Sequence, residues 1–214
     1  MKFFYSISTL LLLGTACKTT TQPLKTEVKA LVRKRMVEDT SVVYALPFEP
    51  GRKRLLVQGY FGSFSHKERA ALDFYLRSGT PVTAVRDGVV LQTKKDGTKR
   101  GLRYRYKSHN NFVLIRHADG YVSGYYHLQH NGVLVQKGDT VKQGQKIGLS
   151  GNTGYSAFPH LHFFLVRVDS TGKRTQLANR FSTHKGNRYL RGWRFYKHPT
   201  ESVLLKKQHI ESIH

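Results

Sequence analysis

From residue 41 onward, short apolar runs rich in β-branched and aromatic residues alternate with glycine-centred breaks. The runs cover 41–45, 81–92, 111–117, 121–128, 141–148 and 161–168. The breaks are Asp87-Gly88, Asp96-Gly97, Asp119-Gly120, Asn131-Gly132, Lys137-Gly138-Asp139 and Gly151-Asn152-Thr153-Gly154. Aspartate–glycine and asparagine–glycine pairs supply the positive φ angles that tight hairpins require. No helical period is sustained between Pro47 and Ser170, and no tandem repeat is present. The pattern predicts an all-β core of antiparallel sheets curled over one another. Before it, residues 25–39 place Leu31, Val32, Met36 and Val37 among lysines and arginines, which reads either as a short basic helix or as a solvated linker. After it, residues 174–214 are basic and aromatic, and Tyr189, Trp193, Phe195 and Tyr196 are expected to pack over the sheet.

The first residues do not belong to the fold. Met1 to Ala16 holds one basic residue, Lys2, then the run Leu10 to Leu13 and the small residues Gly14, Thr15 and Ala16. This stretch is shorter than the roughly 20 apolar residues of a spanning helix and reads as a secretory signal. Cys17 follows directly, which resembles a bacterial lipoprotein signal in which Cys17 becomes the lipidated first residue. Ordinary cleavage after Ala16, leaving a free thiol, is the alternative. Either way the chain is exported. Lipidation would tether it to a bacterial membrane, the outer membrane facing the periplasm where the source has two. The chain thus divides into a signal peptide (1–16), a tether and basic segment (17–40), a core domain (41–173) and a basic aromatic C-terminal extension (174–214) packed on or beside the domain.

Composition narrows the partners. Lys and Arg number 36 against 13 Asp and Glu in 214 residues, a formal net charge of +23, and the signal removes only Lys2 of it. A field of that size concentrates polyanions: nucleic acid, an anionic membrane face or wall polymer. Export argues against nucleic acid. One cysteine excludes an internal disulfide and a multi-cysteine zinc site. The charge is dense at 94–107, where Lys94, Lys95, Lys99, Arg100, Arg103, Arg105 and Lys107 interleave with Tyr104 and Tyr106. By default this loop reads as a solvated hairpin; the alternative is a docking element for anionic wall polymers.

The histidines carry the chemistry. His160 and His162 flank Leu161 at the head of an apolar run, and alternation along a strand sends both imidazoles to one face while Leu161 and Phe163 enter the core. Two imidazoles on one face point to a metal ligand more than to core filling. Asp73 interrupts the apolar Leu72-Asp73-Phe74, and a buried carboxylate needs a cation or strong hydrogen bonds. His66 lies seven positions earlier, and His127 closes Tyr125-Tyr126-His127.

In this order the residues resemble the lysostaphin-type zinc endopeptidases, which cut bacterial peptidoglycan peptides. The resemblance runs from about Tyr44 to Val168. It rests on Ser65-His66, Leu72-Asp73-Phe74, Gly79-Thr80-Pro81-Val82, Asp87-Gly88-Val89-Val90, Tyr126-His127-Leu128, Gly138-Asp139-Thr140-Val141, Gly151-Asn152-Thr153-Gly154 and Pro159-His160-Leu161-His162-Phe163. It implies antiparallel sheets lining a narrow groove, the duplicated hybrid motif fold. It implies Zn2+ held by His66, Asp73 and His162, with His127 and His160 as catalytic residues that do not bind the metal. The substrate it implies is peptidoglycan, cleaved in its stem peptides or cross-links by a monomer. Six residues separate His66 from Asp73, where many members of the family have three. Two other readings compete. A non-catalytic wall-binding regulator of the same fold is expected to lack one or more of the five positions. A biotinyl-type domain, suggested by residues 138–144, needs a displayed lysine and no histidine set.

Overall fold

The structure, a computed structural model, describes residues 23–33 and 42–200. The signal segment and Cys17 lie outside the described residues. Helix α1 (Pro23–Val32) comes first, followed by β1 (Val43–Tyr44), β2 (Lys53–Gln58), β3 (Ala71–Phe74), β4 (Pro81–Thr83) and β5 (Gly88–Lys94). A 3₁₀ turn (Tyr104–His109) leads into β6 (Phe112–Arg116), β7 (Tyr121–Tyr126), β8 (Leu128–Val133), β9 (Thr140–Val141), β10 (Lys146–Ser150) and β11 (Leu161–Val168). The chain ends in β12 (Arg174–Leu177), β13 (Arg180–Thr183), β14 (Gly186–Arg188) and β15 (Arg194–Lys197).

A nine-stranded sheet runs in the order β15-β2-β3-β11-β7-β6-β5-β9, with β12 pairing the far half of β11. Its pairs are antiparallel. A second sheet, β4-β10-β8, is also antiparallel. A third joins β1, β13 and β14, with β1 and β13 parallel. The architecture is therefore mostly β and antiparallel, as the apolar pattern predicts. Two of the predicted runs are divided. Residues 81–92 become β4 and β5, and residues 141–148 become β9 and β10, because at both places the chain crosses between the large and the second sheet. Ala84 N–H donating to Gln145 O (2.9 Å) ties the two crossings together.

The core sits under one face of the large sheet. Leu72, Phe74, Val113, Ile115, Tyr125, Leu161 and Phe163 are fully buried, joined by Phe48, Leu56, Ile147 and Phe181. A smaller cluster pairs Val28 of α1 with Phe61 and Ala70, which docks the helix on the loop between β2 and β3. The basic segment is thus helical over 23–32. The aromatic residues near the C-terminus differ from expectation: Tyr196 is buried, but Trp193 is 77% exposed and Phe195 60%. On the edge strand β15 alternation turns Tyr196 inward and Phe195 outward, beneath the Lys53 ammonium at 5.1 Å, while Trp193, just ahead of the strand, takes a left-handed φ of 59°.

Candidate metal centre and groove

The sheet register assembles the centre. His162 on β11 lies opposite Asp73 on β3 and opposite Tyr126 on β7, while Asp73 lies opposite Gln58 on β2. Directly opposed residues of antiparallel strands share a face, so Gln58, Asp73, His162 and Tyr126 form one row across four strands. His66 drops onto this row from the loop between β2 and β3. The longer His66-to-Asp73 spacing still returns both groups to one point.

Three donor atoms converge. His162 Nδ1 is 2.8 Å from Asp73 Oδ1, and His66 Nε2 is 3.2 Å from both that oxygen and His162 Nδ1. Ligands about 2.0–2.1 Å from a tetrahedral zinc stand roughly 3.3 Å apart, close to these edges. The donor chemistry agrees. The His66 Nδ1–H faces Gly59 O at 3.4 Å, which leaves a lone pair on Nε2 aimed at a carboxylate oxygen and a second imidazole nitrogen. Such lone pairs repel unless a cation lies between them. Gln58 completes the arrangement by donating Nε2–H to Asp73 Oδ2 (2.9 Å), so that Oδ1 is left for the metal. Its amide is oriented by Ser65 N–H donating to Gln58 Oε1 (3.0 Å). Without a cation the rings would have to carry protons towards Asp73 instead; burial, which raises its pKa, is outweighed by hydrogen bonds of that kind from His162 and His66, which hold the group well below the usual carboxylate range.

The other two histidines stand beside this triangle. His127, just past β7, adopts a left-handed φ of 66°, which turns its ring towards His160 and His162, with ring centroids 4.7 and 5.8 Å away. Its Nδ1–H donates to Thr153 O (2.7 Å) and that of His160 to Phe158 O (2.8 Å). A carbonyl only accepts, so in both rings Nε2 carries the lone pair. Burial, then the neighbouring His160 and His162, pushes His127 down to about 3; burial also lowers His160. Both rings are therefore neutral at physiological pH.

Asn111 holds the carbonyl that orients His127. Its N–H donates to Thr153 Oγ1 (3.0 Å), and its side chain bonds Gly97 O (2.9 Å) and Gln129 O (3.2 Å). The 151–154 turn and the basic loop are thereby fixed together.

All five positions expected from the sequence stand together around one point. Gln58 and Asn111 lacked a signal of their own, because their roles arise from register and loop contacts, and Thr153 was visible only as part of the 151–154 turn. Asp73, His127, His160 and His162 line a groove of about 1310 Å³, with His66 buried behind them, and its walls include Phe64, Tyr104, Lys107, Tyr155, Phe158 and Trp193. Its floor beyond His162 is aromatic, with Phe112 and Tyr126 stacked at 4.9 Å and Phe164 at 5.4 Å from Tyr126. Gly124 makes room for this floor, since a Cβ there would lie 2.4 Å from the Phe164 ring. The basic loop forms one wall of the groove through Leu102, Tyr104 and Lys107, with the Lys107 ammonium 4.2 Å from the Tyr104 ring centroid.

The model of peptidase family M23 matches residues 67–176. Over 94 residues the chain is 42% identical to the peptidoglycan DD-endopeptidase ShyA of Vibrio cholerae, covering 44% of this chain and 19% of that protein. It is 39% identical over 92 residues to lysostaphin of Staphylococcus simulans, covering 43% of this chain and 17% of that one. The chain spans about a fifth of the length of these curated relatives. Among solved structures, the catalytic domain of lysostaphin from Staphylococcus simulans aligns with a TM-score of 0.42 and 30% identity, over 58% of this chain and 87% of that one.

Proposed function

The chain belongs to peptidase family M23, and from that premise we propose that it is a zinc-dependent endopeptidase cutting peptide bonds in the stems or cross-links of bacterial peptidoglycan. The observation that carries the reading is the meeting of His66 Nε2, Asp73 Oδ1 and His162 Nδ1 within 3.2 Å of one another, beside two neutral histidines at the base of an open groove. The Vibrio endopeptidase, by its name, acts on such material. Five side chains standing together do not favour a non-catalytic regulator.

His66, Asp73 and His162 would hold the metal. Zinc bound there would polarise a scissile carbonyl and bring the pKa of a water molecule near 7. The chain's own residues do the rest. His127, with Nδ1–H tied to Thr153 O, presents an unprotonated Nε2 to the groove, placed to accept the proton of the attacking water. His160, tied to Phe158 O, presents Nε2 3.8 Å from Asp73 Oδ1. His127 then returns the accepted proton to the leaving amine, and His160 Nε2 takes up the second proton of the former water as the carboxylate product forms. The aromatic floor and walls orient the peptide and limit water. We further propose export and attachment through Cys17; among the described residues no helix is long and apolar enough to cross a membrane.

The test is mass spectrometry of purified muropeptides before and after incubation. New amine and carboxyl ends that vanish with chelator are expected. Unchanged muropeptides with zinc-loaded protein would overturn the reading.

A further inference from the structure

On the far side of Trp193 from the metal centre lies a second concavity of about 1220 Å³. Lys53, Lys185, Arg188, Arg191, Arg194 and Lys197 line it, and no carboxylate does among the described residues. Lys53, Lys185, Arg191, Arg194 and Lys197 are exposed. Lining of one sign around a concave, low-dielectric wall focuses the field and concentrates a ligand of opposite sign. Two exposed aromatic faces, Trp193 and Phe195, stand among these cations and offer flat surface to sugar rings or peptide.

Trp193 joins the two sites, since it lines both the groove and this cleft. Its placement is held against a backbone cost. Its φ of 59° lies in the left-handed region, where a non-glycine residue is disfavoured by roughly 1–2 kcal/mol. The conformation is locked by Trp193 N–H donating to Leu56 O (2.6 Å) and by close approach of two glycines. A Cβ on Gly59 would lie 2.8 Å from Gly192 N, and one on Gly192 would lie 3.0 Å from Gly59 N. The segment carrying Trp193 is thereby clamped to the loop that carries His66, beyond the 67–176 stretch matched by the family.

We propose that this cleft is a second binding site, which grips the carboxylate-bearing stems of the same peptidoglycan strand whose peptide lies over the metal centre. The proposal rests on the peptidoglycan reading above. Charge selects the acidic stems, Trp193 and Phe195 supply the packing surface, and the shared wall at Trp193 gives one strand a path through both sites. The concave shape favours a polymer strand over a flat bilayer.

The experiment is co-sedimentation of the mature chain with purified sacculi freed of phosphate polymers, with chelator present so that no strand is cut. Lys185→Gln/Arg194→Gln/Lys197→Gln should bind about tenfold more weakly, the size expected of three partly screened charges, and the difference should shrink at high salt. Trp193→Gly, which removes the indole and relieves the backbone, should also weaken binding. Amidating the sacculus carboxylates should reduce wild-type binding to the level of the triple variant. Unchanged melting temperatures would show that both variants fold. Equal affinity of wild type and folded variants for sacculi would overturn the proposal. So would a loss seen only on phosphatidylglycerol vesicles, which would make the cleft a membrane contact. Cleft-dependent binding by a zinc-loaded wild type that releases no fragments would support this site and count against the endopeptidase reading.

Discussion

Among the described residues, His117 and the histidines of the metal centre are both enclosed by the sheets, and their surroundings differ in kind. His117, just beyond β6, has both ring nitrogens satisfied: Nδ1–H donates to Asp87 O (2.8 Å), and Nε2 accepts from the Ser123 hydroxyl (2.9 Å), which is bonded in turn to the Tyr125 hydroxyl (3.1 Å). In the other group, His66 Nε2 and His162 Nδ1 face each other and a shared carboxylate oxygen. His127 and His160, with Nδ1–H tied to carbonyls, add two Nε2 lone pairs beside them. Burial alone therefore does not separate a structural imidazole from a metal ligand; the balance of donors and acceptors around it does. Where that balance closes, the ring serves the fold. Where lone pairs converge, the arrangement calls for a cation.

The largest effect expected from this contrast is at the converging group. His162→Ala should abolish stoichiometric zinc, read by elemental analysis, and reduce cleavage to background; a variant that keeps one zinc per chain would break the contrast. Next, His127→Ala and His160→Ala should each keep the metal while kcat falls by roughly 10²–10⁴, the range for positioned acid–base groups. Loss of zinc in either variant would move that residue into the ligand set. Smaller again, Gln58→Ala frees Asp73 Oδ2 and should weaken zinc affinity by roughly 10–100-fold in a chelator competition. Unchanged affinity would show that the hydrogen bond does not tune the site.

The smallest effect is expected at His117 and should touch stability alone. His117→Leu leaves the Ser123 hydroxyl and Asp87 carbonyl short of a partner and should cost about 1–3 kcal/mol in denaturant unfolding, with zinc affinity unchanged. Burial lowers the His117 pKa from its ordinary value near 6.5. The unfolded chain therefore takes up this proton first. The stability held by neutral His117 is complete above about pH 6.5 and is lost as pH falls below it. The variant should show a shallower acid-side decline than the wild type, and identical slopes would exclude His117 as a source of it.

The parts readable from sequence were those written in local alternation. Residues 161–168 form β11 within the same bounds, because Leu161, Phe163 and Leu165 alternate with side chains on the other face. Asp73 stood out as one carboxylate in an apolar strand. Gln58 did not, because its meaning comes from β2 pairing with β3 across a bulge between Leu56 and Gln58, a register that no local pattern carries. The C-terminal strands were equally hidden. β12 to β15 are three or four residues long with no sustained apolar alternation, and β13 and β15 are placed by partners distant in sequence, β1 and β2. Expecting Trp193 to pack inward followed hydrophobicity alone, whereas its left-handed backbone turns it out to the groove.

The most direct test of the metal-dependent account is a zinc titration of metal-stripped mature chain, following cleavage of a cross-linked muropeptide. Activity should be absent at the start, rise in proportion to added zinc, and saturate at one zinc per chain, with His162→Ala silent throughout. Cleavage that persists in the stripped chain, or that returns equally in His162→Ala, would contradict it.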